Sequence, residues 1–456
     1  MSAPQAQVPD AAGGPSLASA PPGAPTEATA PSRRRELSAA TVGSIVESFD
    51  WNMYAVLAPF FATRLFPGGT TGATLTAYAG FAVGFLARPV GSALIGRLAD
   101  KRGRRFGLTL SMSVIAAASL LPALVPSREQ IGIWAALLMV VARLVQGLAY
   151  GGETPTVAAY VTETAPPHRR FLFSGISYGG IIIGSLLAFA TVAILDATVG
   201  ADALADGAWR WGFVAAALIG VAAIWVRRSA PESEEFEREA AVHGSRRPPI
   251  RSVFTRHSTA CVALFLMSVS TTVSFYFSLV YLPVYAAHAG AADQAAASAF
   301  MTVAYAVTLL AMLLAGALAD RIGLIPVLRG AALATAVLVV PLLTAMDSGA
   351  LDYRVVAVLL GLLVAAPAAA VNLLSGLLFP TAVRAVGAGI VSAVAVAGFG
   401  GTFPLLAEAL TVRGHAVVIP YYVAATAVLG VLGTFVAARV PGFAAASRPI
   451  PTEENR

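Results

Sequence analysis

Runs of about twenty apolar residues recur along this chain, and hardly any charge falls inside them. A stretch of that length and composition is what an α-helix needs to cross a bilayer. Spans are expected near 38–66, 75–97, 106–125, 131–161, 172–196 and 209–228. A polar segment intervenes, and six more follow near 257–287, 293–319, 325–345, 352–379, 385–411 and 416–439. Only 12% of residues are charged, against roughly 25% in a soluble domain. The pattern predicts an all-α integral membrane protein of twelve helices. A net charge of +6 could suggest nucleic acid, but the charges are placed as topology signals. With both termini in the cytosol, Arg64, Arg128, Arg210, Arg354 and Arg413 fall outside, and Arg88 and Arg143 lie within spans. Every other basic residue falls on a cytosolic segment. Basic residues hold such segments inside.

The ends and the middle read differently. Residues 1–36 are rich in Ala, Pro, Gly, Ser and Thr and are expected to be a disordered cytosolic tail. Residues 37–228 form a first six-helix bundle, 229–256 a central cytosolic loop, 257–440 a second bundle, and 441–456 a cytosolic tail. The loop carries Glu232, Glu234, Glu235, Glu237 and Glu239, which read as a solvated helix, ahead of Arg246, Arg247 and Arg251. The two halves echo each other. GRLADKRG at 96–103 returns as GALADRIG at 316–323, and Pro166…Arg169 returns as Pro380…Arg384. Repeated halves are a way to build a site near the bilayer midplane.

Charges inside a span cost about 2.5–3.5 kcal/mol each on insertion scales, so they are functional candidates by default. Glu47, Asp50 and Tyr54 share one face of the first helix. Arg143, Gln146, Tyr150 and Glu153 form a stripe on the fourth. Arg88 lies on the second, about level with Asp50, and the depth of the two predicts that they pair. Asp50 and Glu47, with Glu153, are the expected proton carriers. Arg88 and Arg143, with Tyr54 and Gln146, are expected to hold a substrate carboxylate in a wet central cavity through paired charge-assisted hydrogen bonds. Phe277, Tyr281 and Tyr285 form a stripe at i, i+4, i+8 that reads as packing or an interfacial belt. Asn372 is either helix–helix glue or a substrate contact. A lone Cys261 excludes an intrachain disulfide, and five scattered histidines give no metal-ligand spacing.

The stretch Gly96–Arg105, GRLADKRGRR, resembles the loop between helices 2 and 3 of the major facilitator superfamily of transporters. Gly96 permits close helix approach, and Asp100 can accept from the N-terminus of a neighbouring helix. Gly96, Asp100, Gly103 and Arg104, with Asp320 and Arg321 of the second copy, are the expected cytosolic gate. ESFDWNMY at 47–54, GFLARPVG at 84–91, RLVQGLAYGGE at 143–153 and ETAPPHRR at 163–170 resemble the metabolite:proton symporter family within it. So do FPTAVRAVG at 379–387 and GFGGTFP at 398–404. The Arg-x-x-Gln-Gly on helix 4 is shared more widely among proton-coupled facilitators. The resemblance implies two pseudo-symmetric six-helix bundles and proton-driven uptake of a small organic acid or zwitterion. It implies a bacterial inner membrane, a monomer, no cofactor beyond the coupling proton, and no nucleic-acid partner. Three departures stand out. Ser48 replaces a usual aromatic, which is expected to alter substrate packing. Leu377 replaces a usual Glu, and Leu324–Ile325 replace a basic pair, which removes charge from the gate in the second half.

The nearest rival is a proton-coupled exporter of a drug or secondary metabolite, since direction is not written in such a fold. A sugar porter is a third reading, because Pro231-Glu232-Ser233 resembles sugar carriers. Charged residues on helix 1 and two cavity arginines argue against a neutral sugar. An enzyme would need a nucleophile–base or metal constellation, and none is evident.

Overall fold

The computed structural model describes residues 30–102, 104–150, 167–228 and 250–449. Twelve long helices stand among the described residues. The first six are α1 (Ala30–Leu65), α2 (Gly69–Arg102), α3 (Arg104–Leu124), α4 (Trp134–Tyr150), α5 (Arg170–Val199) and α6 (Arg210–Arg228). Then come α7 (Ser258–His288), α8 (Gln294–Ile322), α9 (Leu324–Asp347) and α10 (Tyr353–Leu378). In α11 Thr381–Ala395 continues through Phe403–Val412, and α12 is Val418–Ala437. By length and hydropathy alone, α5 and α7 through α12 are long and apolar enough to cross a membrane, while the described apolar parts of α3 and α4 are shorter. Leu218, Leu314, Leu333 and Val337 are exposed, which suits a helix surface in lipid rather than water.

Local chemistry sets several helix ends. Asp293 caps α8 by accepting from Ala295 N and Ala296 N, and Asp352 caps α10 by accepting from Arg354 N. Gly323 is the one residue between α8 and α9. Its φ of 97° is a conformation that an L side chain rarely adopts, so the tight reversal needs glycine. Its counterpart Gly103 lies outside the described residues. Two helices widen to π-turns, α7 over Tyr276–Tyr281 and α11 over Val396–Gly400.

Packing repeats with a shift of six helices. α1 packs on α5, α2 on α4, and α3 on α6. In the second half α7 packs on α11, α8 on α10, and α9 on α12. The halves meet at α5–α8 and at α2–α11, which the same shift interchanges. One end of the bundle carries the described α8–α9 and α10–α11 connections, the start of α5 at Arg170 and the end of α6 at Arg228. It is called the basic face below, and the other the opposite face.

Three local features stand at the ends of the bundle. α1 begins at Ala30, inside the stretch expected to be disordered. Within the expected central loop, Ile250–Arg256 is a short helix. The C-terminal tail folds back: Phe443–Ala446 is a helical turn, Phe443 is buried, and Ser447 O accepts from Leu324 N at 3.0 Å. An apolar Phe at the right distance past α12 gives the tail something to bury, which its composition alone did not indicate.

Candidate functional site

The charged residues of α1, α2 and α4 turn inward together, but they pair differently from the expectation. Arg88 lies beside Glu47, Nη1 to Oε1 at 3.1 Å. Asp50 faces Arg143, Oδ2 to Nη1 at 3.8 Å. The cause is the crossing of α2 and α4. A Cβ on Gly147 would collide with the carbonyl oxygen of Gly84, and one on Gly84 would lie 3.0 Å from the carbonyl oxygen of Arg143. With Gly91, where a Cβ would collide with the carbonyl oxygen of Leu148, these glycines let α4 press onto α2 and bring Arg143 to the level of Asp50. Arg88, one turn past Gly84 towards the basic face, is left level with Glu47.

Asp50 is held by two donors, both from α4. Gln146 Nε2 lies 3.1 and 2.9 Å from its two oxygens and 3.0 Å from Ser119 Oγ of α3. Tyr150 OH donates to Asp50 Oδ2 at 3.1 Å. Arg143 is treated differently. Its side chain is 0% exposed, and among the described residues none of its three nitrogens is hydrogen-bonded. It lies 4.2 Å from the centroid of the Tyr54 ring, and Tyr54 OH is committed to Ala77 O at 2.9 Å. A guanidinium offers five donors. Here they are buried with a carboxylate near and aromatic rings beneath, and among the described residues no acceptor lies within hydrogen-bond reach.

Arg88 sits between rings, 4.2 Å from Trp51 and 4.3 Å from Phe85. Trp51 in turn meets Phe85 edge-on at 4.4 Å and Tyr150 at 5.5 Å. Phe85 packs on Tyr276 of α7 at 5.5 Å, so the second half closes over the cluster with an aromatic wall. The expected wet cavity is therefore not open in this conformation. Asp50 is 1% exposed, and the Glu47–Arg88 pair is under one-fifth exposed.

Other predicted residues fall as follows. Tyr54 and Gln146 join the cluster, but each serves a neighbouring residue, as a platform for Arg143 and a donor to Asp50. Glu153 and Gly103 lie outside the described residues. Gly96, Asp100 and Arg104 lie on α2 and α3, in a stretch whose side chains are not described. Ser48 does not face the cluster. It donates to Ile181 O at 2.7 Å and contacts Ser185 Oγ at 2.8 Å, tying α1 to α5. Asn372 donates to Ser177 Oγ at 3.2 Å, a link between the halves. The α7 stripe is buried, and its two hydroxyls meet carboxylates: Tyr281 with Glu408 at 2.8 Å and Tyr285 with Asp347 at 2.9 Å. Sequence reasoning missed Trp51, Phe85, Ser119 and Glu408. For Glu408 the signal was present, an acid inside an otherwise apolar span.

The second copy of the gate motif keeps its acid at work. Asp320 accepts from Phe171 N and Leu172 N, both at 3.0 Å, at the start of α5. An anion there meets the positive end of a helix dipole, and the contact joins the two halves at the basic face. Gly316 allows it, since a Cβ there would stand 2.9 Å from Leu172 Cα. Arg170 reaches across to the carbonyls of Ala446 and Arg448. Arg321, expected in the gate, is instead exposed and makes no ion pair among the described residues. Hydrogen bonds to a charged group contribute about 1.5–3 kcal/mol. Asp320→Asn should therefore shift the population towards an open basic face. A cysteine placed at Ser174, buried on α5, should then react with a thiol reagent at least about tenfold faster.

The sequence profile of the Major Facilitator Superfamily matches residues 40–403. The chain belongs to the major facilitator superfamily. It is 34% identical to the alpha-ketoglutarate permease of Escherichia coli K12, over 86% of this chain and 91% of that protein. It is 30% identical to the citrate-proton symporter of Klebsiella pneumoniae, over 86% of this chain and 89% of that one. The fold matches the partially occluded inward-open xylose transporter XylE of E. coli at a TM-score of 0.70. That match has 18% identity and covers 89% of this chain and 98% of XylE. The chain is thus a membrane transporter and not an enzyme, and the expected twelve-helix major facilitator architecture is the one observed.

Proposed function

We propose that this transporter carries a small organic anion together with a proton, by alternating access, with Arg143 as the principal carboxylate anchor and Asp50 as the proton site. The observation that carries this reading is the Arg143 guanidinium, wholly buried, within charge range of Asp50 and without a hydrogen-bond acceptor among the described residues. A buried cation deprived of its counter-charge is destabilised by several kcal/mol. Protonating Asp50 removes that counter-charge, and an arriving carboxylate restores it. Each event therefore favours the other, which is what symport requires. Arg88, clamped between Trp51 and Phe85, supplies a second donor, and Glu47 plays towards it the part that Asp50 plays towards Arg143. Two relatives whose names specify alpha-ketoglutarate and citrate support the anionic class, and the name of the second supports the proton.

In this reading the basic face is cytosolic, both termini are inside, and the membrane is the inner membrane of a bacterium. The test is uptake of radiolabelled 2-oxoglutarate, citrate and related carboxylates into proteoliposomes with an imposed pH gradient, acid outside. Gradient-driven accumulation of at least one carboxylate, collapsed by a protonophore, is expected. Accumulation only when the gradient is reversed would make the protein an exporter. No gradient dependence for any of them would remove the anion–proton assignment.

A further inference from the structure

A second buried carboxylate lies apart from the Asp50 cluster. Glu408, on α11 near the opposite face, has a side chain only 2% exposed. Its Oε2 accepts from Tyr281 OH at 2.8 Å and lies 3.4 Å from His288 Nε2. Both partners are on α7. Tyr281 OH also lies 3.4 Å from Thr411 Oγ1, one turn along α11. His288 closes α7 at the opposite face with 41% of its side chain exposed. From α2, the buried ring of Tyr78 stands 6.1 Å from that of Tyr281. From α9, Asp347 accepts from Tyr285, one turn beyond Tyr281. Among the described residues no arginine or lysine pairs with Glu408. A buried carboxylate needs polar partners to offset its lost hydration. Among the described residues, the titratable cation that reaches it is His288, part of whose ring is exposed.

We propose that Glu408 is a second proton-binding site of this transporter, loaded from the opposite face through His288, and that its protonation loosens the contact between the halves at Tyr78–Tyr281. The transfer balances simply. The imidazole takes one proton from water and gives one to Glu408 Oε2, ending neutral, and the carboxylate becomes a carboxylic acid. Tyr281 then loses its anionic acceptor. Its ring meets Tyr78 of α2 near the opposite face, so its release bears on the closure of that face. The naming of that face as extracellular rests on the orientation proposed above, but proton binding at Glu408 does not.

The experiment is pH-difference infrared spectroscopy of the full-length protein in lipid vesicles without any substrate. Acidification should raise a carboxylic C=O band that is missing in Glu408→Gln and displaced in Glu408→Asp, which keeps a carboxyl and stands in if the Gln variant fails to fold. In His288→Gln, a change at a half-exposed position, the band should form after a pH drop about two orders of magnitude more slowly, the typical contribution of a positioned acid–base side chain. A Glu408→Gln or Glu408→Asp spectrum identical to that of the unaltered protein would overturn the site, and an unchanged rate in His288→Gln would overturn the relay. Since no substrate is present, either result is separate from any failure of carboxylate uptake.

Discussion

Asp50→Asn should abolish accumulation of the transported carboxylate against its gradient and leave exchange across the membrane intact. The asparagine is close to a protonated aspartate in shape, still receives from Gln146 and Tyr150, and cannot titrate. One proton moving down one pH unit carries about 1.4 kcal/mol, so the lost accumulation is about tenfold for each unit of imposed gradient. Counterflow measures the exchange that survives, and gradient-driven uptake measures the coupling that does not. Equal loss of both would mean that Asp50 is structural, a counter-ion that keeps α4 on α1.

Arg143→Gln should fail in both assays. Removing one member of a buried ion pair costs about 3–5 kcal/mol because the other charge is left alone, here Asp50 at 1% exposure. If about 3 kcal/mol of that range is expressed in binding, affinity for the carboxylate falls by about a hundredfold. Thermal stability falls with it. The double variant Asp50→Asn, Arg143→Gln separates the two effects. It should regain stability relative to Arg143→Gln, since no orphan charge remains, and should regain no transport. Arg143→Lys should not restore binding. An ammonium lacks the planar fork that grips a carboxylate through two parallel bonds, and it stacks less well on the Tyr54 ring, 4.2 Å away. Arg88→Lys should be milder, because its partner Glu47 is partly exposed and stands at an ordinary ion-pair distance of 3.1 Å.

Much of this could be read from the sequence, for identifiable reasons. Apolar runs of bilayer length announce spans one by one, and the copy of GRLADKRG at 316–323 reveals the internal repeat without any knowledge of packing. The helical period correctly placed Glu47, Asp50 and Tyr54 on one face, and Arg143 with Gln146 on another. What the period cannot give is the rotation and depth of one helix against the next. The partners of Asp50 and Arg88 therefore differ from the expected pair, because the α2–α4 crossing depends on Gly84, Gly91 and Gly147, whose contacts no one-dimensional pattern displays. Ser48 was judged by the residue it replaces, whereas its hydroxyl reaches the carbonyl of Ile181, far away in the chain. Glu408 is a single acid in α11, and no residue near it in sequence points to its partners Tyr281 and His288 on α7. Asp320 was legible as a helix-terminus acceptor by analogy with Asp100, and the absence of the following basic pair does not prevent that role.

The most direct test of the link between anion and proton is calorimetric. Titrating 2-oxoglutarate, or whichever carboxylate the uptake panel selects, into the purified transporter near neutral pH, in buffers of different ionisation enthalpy, counts the protons taken up on binding. Net proton uptake on anion binding is predicted, reduced in Asp50→Asn by the share that Asp50 carries. Carboxylate binding with no proton taken up, or with the same count after Asp50→Asn, would contradict the Asp50–Arg143 account.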